Sequence, residues 1–341
     1  MKEHLSKITF IRLTVNIYKL YITYFWWMSL VAYTHANEFH EFSSKCMGTD
    51  FKILIDHDCE KNSSNAAHEA FQEANRLNLI FSDYDSESEL SQLSNSTYSS
   101  QKVKLSKELF EVLEFSKTLA VESEGAFDPT LGQLSRLWRI SRFRKSLPSV
   151  ISIEKAMDRV GSEYLILSKP QKAATLLRPG IILDLGGIAK GYTADRMMLI
   201  LRNMGIERCL IDAGGDLTLG KRPRQSKGWK IQIGGINHPD LPMMTLENCS
   251  VATSGDSSQF VEINGRKYSH IVNPRTGYGL ENLTQVTVIA PNGISADSLA
   301  TTLSVLGPDK SKELEILKKK GGIRAFFVTQ KNNNQILDIL Q

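Results

Sequence analysis

The chain has 341 residues, 41% hydrophobic and 23% charged, with a formal net charge of +4. That length supports a sizeable core in one large or two smaller domains, and the composition is that of a globular protein. A charge this small over this length argues against nucleic acid as the main partner.

The first 36 residues differ from the rest. Lys2, Lys7, Arg12 and Lys19 give a basic start, and Leu20 to Ala32 is an uncharged, aromatic-rich apolar run before Thr34-His35-Ala36. This is the order of a secretory signal cleaved after Ala36, or of an uncleaved anchor, although the run is short for a membrane span. No lipoprotein cysteine follows it. The folded part is therefore expected over residues 37–341. The four cysteines, Cys46, Cys59, Cys209 and Cys249, form no CxxC pair, so no zinc site is expected. Export would permit any of three disulfide pairings; buried free thiols are the simpler reading, above all for Cys209 in its apolar run.

Taken in order, Phe51 to Ile55 reads as a first strand. Ala66 to Phe81 carries apolar residues at helical spacing. Phe81 to Leu93 is polar with a few large apolar anchors. Ser106 to Glu122 is a helix with Ser106 as its cap. Gly125-Ala-Phe-Asp-Pro129 ends it, and Leu131 to Trp138 is a short helix. The basic residues around Trp138 (Arg136, Arg139, Arg142, Arg144, Lys145) read as a solvated loop. Ile153 to Val160 is a helix, and Leu165 to Leu167 with Ala174 to Leu177 a hairpin. Ile181 to Leu183 reads as a buried strand, followed by the turn Asp184-Leu-Gly-Gly187 and a helix to about Met204. Cys209 to Ile211, Trp229 to Ile233 and Cys249 to Ser254 are strands. Phe260 to Val272 is a hairpin around Asn264-Gly265. Gln285 to Ala290 is a strand, Ser295 to Leu306 a helix and Ala325 to Thr329 a late strand. Helices and hairpins alternate, which predicts one compact α+β unit.

Several positions suit chemistry. Glycines at 186 and 187 let the backbone approach a ligand, and the helix start beyond them offers N–H groups to an anion such as phosphate. Asp184 and Lys190 place both signs of charge there. Asp297 and Thr301, four residues apart, share one helix face and suit a hard cation such as Mg²⁺; the alternative is a carboxylate favouring the helix dipole and a hydroxyl bonded back to its own helix. His270 can act as a general base. Asp128 either accepts from a ligand or caps the next helix, Tyr84 either stacks on a ring or anchors a loop, and Met47 either packs on a flat ligand or fills the core.

Together these segments resemble the ApbE family of flavin transferases. The resemblance is carried by Met47-Gly-Thr49, Phe81-Ser-Asp-Tyr84 with Ser88-Glu-Leu90-Ser, Gly125-Ala-Phe-Asp-Pro129, Asp184-Leu-Gly-Gly187-Ile-Ala-Lys-Gly191, Asp212-Ala-Gly-Gly215-Asp, His270-Ile-Val-Asn-Pro-Arg-Thr-Gly277, and Ala296-Asp297 followed by Thr301. Seven motifs in family order are highly specific.

The resemblance implies an ApbE-type, T-fold-like α+β domain with a flavin cleft. It implies FAD as donor and Mg²⁺ as cofactor. A Thr or Ser hydroxyl of a target protein attacks the phosphorus of the FMN half, AMP leaves, and FMN stays as a phosphoester. Acceptors would be subunits of Na⁺-pumping or Rnf-type electron-transfer complexes, met on the periplasmic side by an enzyme either free or attached to the inner membrane. By position, Met47, Tyr84, Ala126, Phe127, Asp128, Asp184, Lys190 and Ile271 would form the FAD site. The Gly187 carbonyl, Asp297 and Thr301 would hold Mg²⁺, and His270, helped by Asp256, would activate the acceptor hydroxyl. The competing readings are a Mg²⁺-dependent FAD pyrophosphatase and a non-catalytic periplasmic flavin-binding protein.

Overall fold

An alternating strand at the very start of the folded part, His40–Cys46 (β1), pairs with Thr49–Ile55 (β2) in a computed structural model of the chain. The structure describes residues 39–96, 102–234, 241–255, 260–281, 284–314, 322–331 and 334–340. The signal-like segment thus lies outside the described residues. The β1–β2 hairpin turns through Met47 and Gly48, both at positive φ, as a two-residue hairpin loop demands. The strand expected at Phe51 is therefore the second, not the first. β1 went unseen because its sequence, HEFSSKC, carries little apolar pattern to mark a strand.

The helices follow as α1 (Glu60–Phe81), α2 (Glu89–Ser94), α3 (Lys107–Glu122), α4 (Gly132–Arg144), α5 (Val150–Met157), α6 (Ala189–Asn203) and α7 (Gly293–Ser311). α1 starts six residues before the expected Ala66, since its first turns, Glu-Lys-Asn-Ser-Ser-Asn, carry no apolar signal. α3 begins after Ser106, whose hydroxyl accepts from the Leu109 amide. α4 runs on past Trp138 to Arg144. Trp138 does not sit in a solvated loop: it is buried against Ile153 and Tyr268, and its Nε1 donates to the Gly277 carbonyl at 2.8 Å. α7 loses helical geometry at Gly307, just before Pro308, close to the expected end at Leu306.

A short ladder of β3 (Val103–Lys104), β4 (Leu165–Ser168) and β5 (Ala173–Leu176) holds the expected hairpin, with β5 in the middle. The main sheet adds β6 (Cys209–Ala213), β7 (Asp216–Leu219), β10 (Ser250–Ser254), β13 (Thr284–Ala290), β14 (Arg324–Lys331) and β15 (Asn334–Leu340) to β1 and β2. Its eight strands run in the order β1-β2-β6-β7-β10-β13-β14-β15, every neighbour antiparallel. Helices cover one face. Phe51, Ile53, Ile55 and Ile211 pack on the alanines of α1 and on Met197, Met198 and Leu201 of α6. Val286, Val288 and Phe327 pack on Ala296, Leu299 and Leu303 of α7. A two-stranded ribbon, β8 (Trp229–Gln232) with β9 (Met243–Leu246), contributes Trp229, Ile231 and Leu246 to a separate cluster with Leu210, Val251 and Phe326. A second ribbon, β11 (Phe260–Ile263) with β12 (Arg266–Ser269), turns at Asn264-Gly265 as expected. Residues 40–341 form one compact α+β unit. No helix among the described residues is long and apolar enough to cross a membrane.

The buried strand expected at Ile181 to Leu183 does not form. The segment is extended, with Ile181, Leu183 and Leu185 buried in alternation, but it shares only a single bridge, between Ile182 and Leu131. The turn and helix after it form as expected.

α6 and α7 cross in backbone contact. A Cβ on Gly191 would lie 2.1 Å from the Gly293 carbonyl oxygen and 2.8 Å from Asp297 Cβ. Asp195 of α6 accepts from the Gly293 and Ile294 amides at 2.6 and 2.9 Å, and so satisfies the open start of α7. Burial pushes the Asp195 carboxyl up to about 6 in spite of these bonds.

Gly191→Ala should cost roughly 1–3 kcal/mol of unfolding free energy by urea titration, since two backbones must part to admit a methyl. Because Asp195 binds its proton more tightly folded than unfolded, acidification from about pH 7 to about pH 4 should favour the fold by at most about 3 kcal/mol at this group. That gain should vanish in Asp195→Asn when the two proteins are titrated side by side.

Candidate functional site

The segment from Asp184 to Gly191 joins two clusters of charge. At its far end Lys190 on the first turn of α6 forms ion pairs with Asp216, at the start of β7, and with Asp297 of α7, the latter at 3.5 Å. Asp297 is fully enclosed: its Oδ2 accepts from the Gly191 amide at 2.9 Å. Asp216 Oδ1 accepts from the Thr253 amide at 3.2 Å. Burial pulls the Lys190 ammonium down, but the carboxylates of Asp216 and Asp297 outweigh it and hold the group above its ordinary value. Burial, with Asp216 adding to it, pushes Asp297 up against the pull of Lys190. One cation thus faces two carboxylates in a low-dielectric spot, leaving a net negative charge.

Thr301 lies one turn beyond Asp297. A Cβ at Gly187 would sit 2.8 Å from Thr301 Oγ1, so only glycine lets this turn rest on α7. Ser298, Thr302 and Ser304 of the same helix each donate back to the carbonyl four residues earlier. Thr301 makes no such bond among the described residues, which removes the alternative that its hydroxyl is spent on its own helix. Among the described residues no three His, Cys, Asp or Glu side chains cluster as a metal cage. The donors here are one carboxylate, one uncommitted hydroxyl and a glycine backbone, all oxygen. That set fits a hard cation that completes its shell with phosphate oxygens and water.

At the near end Asp184 Oδ1 accepts from the Gly186 amide at 2.7 Å, and Oδ2 lies 3.6 Å from Arg139 Nη2. Arg139 is also ion-paired to Asp83. Its guanidinium stacks 4.1 Å from the centroid of the Tyr84 ring. Tyr84 is 78% exposed, so it is no core anchor, and a cation backs one face of its ring. Burial, with Asp184 close by, raises the Asp83 carboxyl against the opposing pull of Arg139.

The remaining motifs are tied to this segment or to one another by pairwise contacts. The Asp184 amide donates to the Pro129 carbonyl at 2.8 Å. Asp128 is buried, and its oxygens accept from the Thr130 amide and hydroxyl and the Ser162 amide at 2.6–2.9 Å. It therefore shapes the turn. Ala126 and Phe127 are buried, and their amides are spent on Ser123. Arg275 donates to the Ser123 and Glu124 carbonyls at 2.8 and 3.1 Å, which ties the Asn273–Gly277 turn to the Gly125–Asp128 loop. His270 is half-buried one residue past β12, and buried Ile271 follows it. Met47, held in the left-handed region at φ 49°, accepts a hydrogen bond from Thr193 of α6 at its sulfur. The Met47–Thr49 motif meets the Asp212–Asp216 turn, where a Cβ on Gly214 would lie 2.5 Å from Thr49.

One expectation changes. The N–H groups at the start of α6 are largely spent, those of Ile188 and Ala189 on the Leu185 carbonyl and that of Gly191 on Asp297. This leaves charge, rather than free amides, as what the helix start offers an anion. Asp256 lies outside the described residues. All four cysteines are free thiols, Cys46 and Cys209 buried. Arg139 and Asp216 carry the geometry, yet from sequence Arg139 counted only as part of the basic patch and Asp216 only as the end of the Asp212 motif. Arg139 meets Asp83 across 56 residues and Asp216 meets Lys190 across 26, beyond any local spacing.

Replacing Lys190 by Met should leave Asp216 and Asp297 buried without a counter-charge. Lys190 itself keeps about a quarter of its side chain exposed, so a loss of about 3 kcal/mol in urea unfolding is expected, at the low end for broken buried pairs. Acidification should return part of it, because burial already holds the Asp297 carboxyl above its ordinary range and folding takes up that proton.

The chain matches the ApbE family model over residues 47–327. It is 31% identical over 310 residues to an FAD:protein FMN transferase of Klebsiella pneumoniae, covering 88% of this chain and 92% of the relative. Among solved structures, the flavin transferase ApbE from Vibrio cholerae superposes with TM-score 0.76 at 26% identity, covering 89% of this chain and 97% of that one. The ApbE protein of Thermotoga maritima gives TM-score 0.78 at 25% identity, covering 88% and 96%. With the family model matched over residues 47–327 and these relatives spanning nearly the whole folded part, the chain belongs to the ApbE family.

Proposed function

We propose that this protein transfers the FMN half of FAD to a Thr or Ser hydroxyl of flavoprotein subunits, releasing AMP, with Mg²⁺ as cofactor. The observation that carries the reading is the Asp184–Gly191 segment, which Arg139 links to an exposed aromatic ring at one end and which carries Lys190 into a carboxylate cluster at the other. FAD has the same polarity, a flat ring system joined through ribityl to a pyrophosphate. Tyr84, stiffened from behind by Arg139, offers a stacking face for the isoalloxazine. Met47, the Ala126–Asp128 loop, Asp184 and Ile271 border the ring and its chain. Lys190 faces the pyrophosphate. Asp297, Thr301 and the Gly187 carbonyl are the oxygen donors for Mg²⁺, which when bound neutralises charge on non-bridging phosphate oxygens.

His270 lies between β12 and the Asn273–Gly277 turn, which Arg275 and Trp138 anchor to neighbouring elements. A base so held can take the acceptor's hydroxyl proton without reorganising. The oxygen then bonds to the FMN phosphorus, the bond to the bridging oxygen breaks, and AMP departs with that oxygen. Asp256 is a helper in this reading. Residues 37–341 make up the catalytic domain, delivered to the periplasmic side by the first 36. Subunits of Na⁺-pumping or Rnf-type complexes are the acceptors.

Incubation with FAD, Mg²⁺ and a candidate acceptor domain, read by intact mass, tests this. The acceptor should gain the mass of FMN as AMP appears, and Asp297→Ala should abolish both. His270→Ala should slow transfer about 10²–10⁴-fold while FAD binding persists. Free FMN and AMP beside an unchanged acceptor would instead mark a pyrophosphatase. FAD bound and left whole would mark a carrier.

A further inference from the structure

α4 and α5 form a helical hairpin whose inner seam is Leu134 and Trp138 against Ile153 and Ala156. Its outer tip is unlike the rest of the surface. Phe143 is 90% exposed, Ile151 63% and Val150 60%, and Ile140 and Leu147 beside them are also exposed. Scattered single apolar residues on a surface need no explanation, but five within twelve positions do. The same stretch is basic throughout. Between Asp128 and Glu154 there is no acidic residue, and there are five cations. Arg136 and Arg139 turn inward to Asp83. Arg142 is half-buried near Tyr84, while Arg144 and Lys145 are exposed at the tip, where α4 stops with Lys145 in the left-handed conformation and α5 restarts after the Ser149 cap.

We propose that this tip is an interfacial docking element that inserts its apolar residues into an anionic phospholipid surface. The proposal goes beyond the flavin chemistry; the apolar and basic tip carries it without that reading, and only its placement of acceptors near the site rests on the proposed function. Two features select a lipid surface over a protein partner. The tip is convex: a side chain at 90% exposure has almost nothing of its own chain around it, and a protein would have to wrap it from several sides, whereas headgroups part around it. Cations interleaved with Phe, Leu, Val and Ile in one short segment is also the pattern of interfacial anchors, where the apolar residues enter the acyl boundary and the cations meet lipid phosphates. Through Arg139, α4 also contacts Asp83, Tyr84 and Asp184, so a docked tip would hold the candidate site close to the bilayer, where membrane-bound acceptors present their hydroxyls.

Hydrogen exchange of the full-length protein, followed peptide by peptide, tests it. The probes are phosphatidylcholine vesicles with and without phosphatidylglycerol. A site-resolved readout separates the tip from the apolar N-terminal segment, which would bind either vesicle. Amides of residues 143–151 should gain protection on the anionic vesicles and little on the neutral ones. In Arg144→Gln/Lys145→Gln, and separately in Phe143→Ser, the lipid concentration giving half protection should rise about tenfold or more. FAD turnover in solution should be unchanged in these variants, which verifies that they fold. A tip left unprotected by anionic vesicles would overturn the proposal, as would equal protection on neutral vesicles. So would protection by an acceptor protein alone, which would make the tip a protein-docking surface.

Discussion

Burying one ammonium between two carboxylates is the constraint on which the rest of the site depends. Lys190, Asp216 and Asp297 come from α6, β7 and α7, and none of the three can be left charged in that position without the others. Such a cluster is weak evidence for stability, because desolvation takes back most of the Coulomb gain. Its worth is in register. α6 must start where Lys190 meets the β6–β7 turn, and α7 must present Asp297 to the Gly191 amide. The missing Cβ at Gly191 then lets the helices close to backbone contact, and that brings Thr301 under the Gly187 turn. The surplus negative charge left by two carboxylates on one lysine is what a divalent cation would complete.

The second consequence is mechanical. The turn that ends at Lys190 begins at Asp184, and Asp184 is held by Arg139, the Gly186 amide and the Pro129 carbonyl. A rigid segment of a few residues therefore sets the distance between the aromatic end and the charged end. That is what a single ligand with a ring at one end and phosphates at the other requires of its site. Few of the residues concerned belong to the large sheet. The sheet supplies the platform, and turns and helix ends supply the chemistry, as is usual where function rides on connections between rigid elements.

Much of this was legible in the sequence because it is local. Ser106 announced α3, Asn264-Gly265 announced the β11–β12 hairpin over Phe260–Ser269, and the four-residue spacing of Asp297 and Thr301 put them on one helix face. What failed was of two kinds. Ile181 to Leu183 has the composition of a strand and the alternating burial of one, but its backbone finds no ladder, and that is decided by neighbours rather than by sequence. Trp138 and its arginines read as a solvated patch because their partners, Gly277 and Asp83, lie 139 and 56 residues away for Trp138 and Arg139. Asp128 carried two readings, a ligand acceptor or a cap for the next helix, and it does not cap that helix: its oxygens are engaged by Thr130 and Ser162 in the turn itself. The family resemblance brought the right motifs together but was silent on Arg139, which holds Tyr84 and Asp184 at once.

If the proposed function holds, one cleft spanned by the Asp184–Gly191 turn takes both ends of FAD. A crystal structure of the protein with FAD and Mg²⁺ tests it most directly. The account predicts the isoalloxazine on the face of Tyr84 opposite Arg139, and the pyrophosphate between Lys190 and a cation on Asp297 and Thr301. FAD bound away from Tyr84, or with its phosphates remote from Lys190 and Asp297, would contradict it.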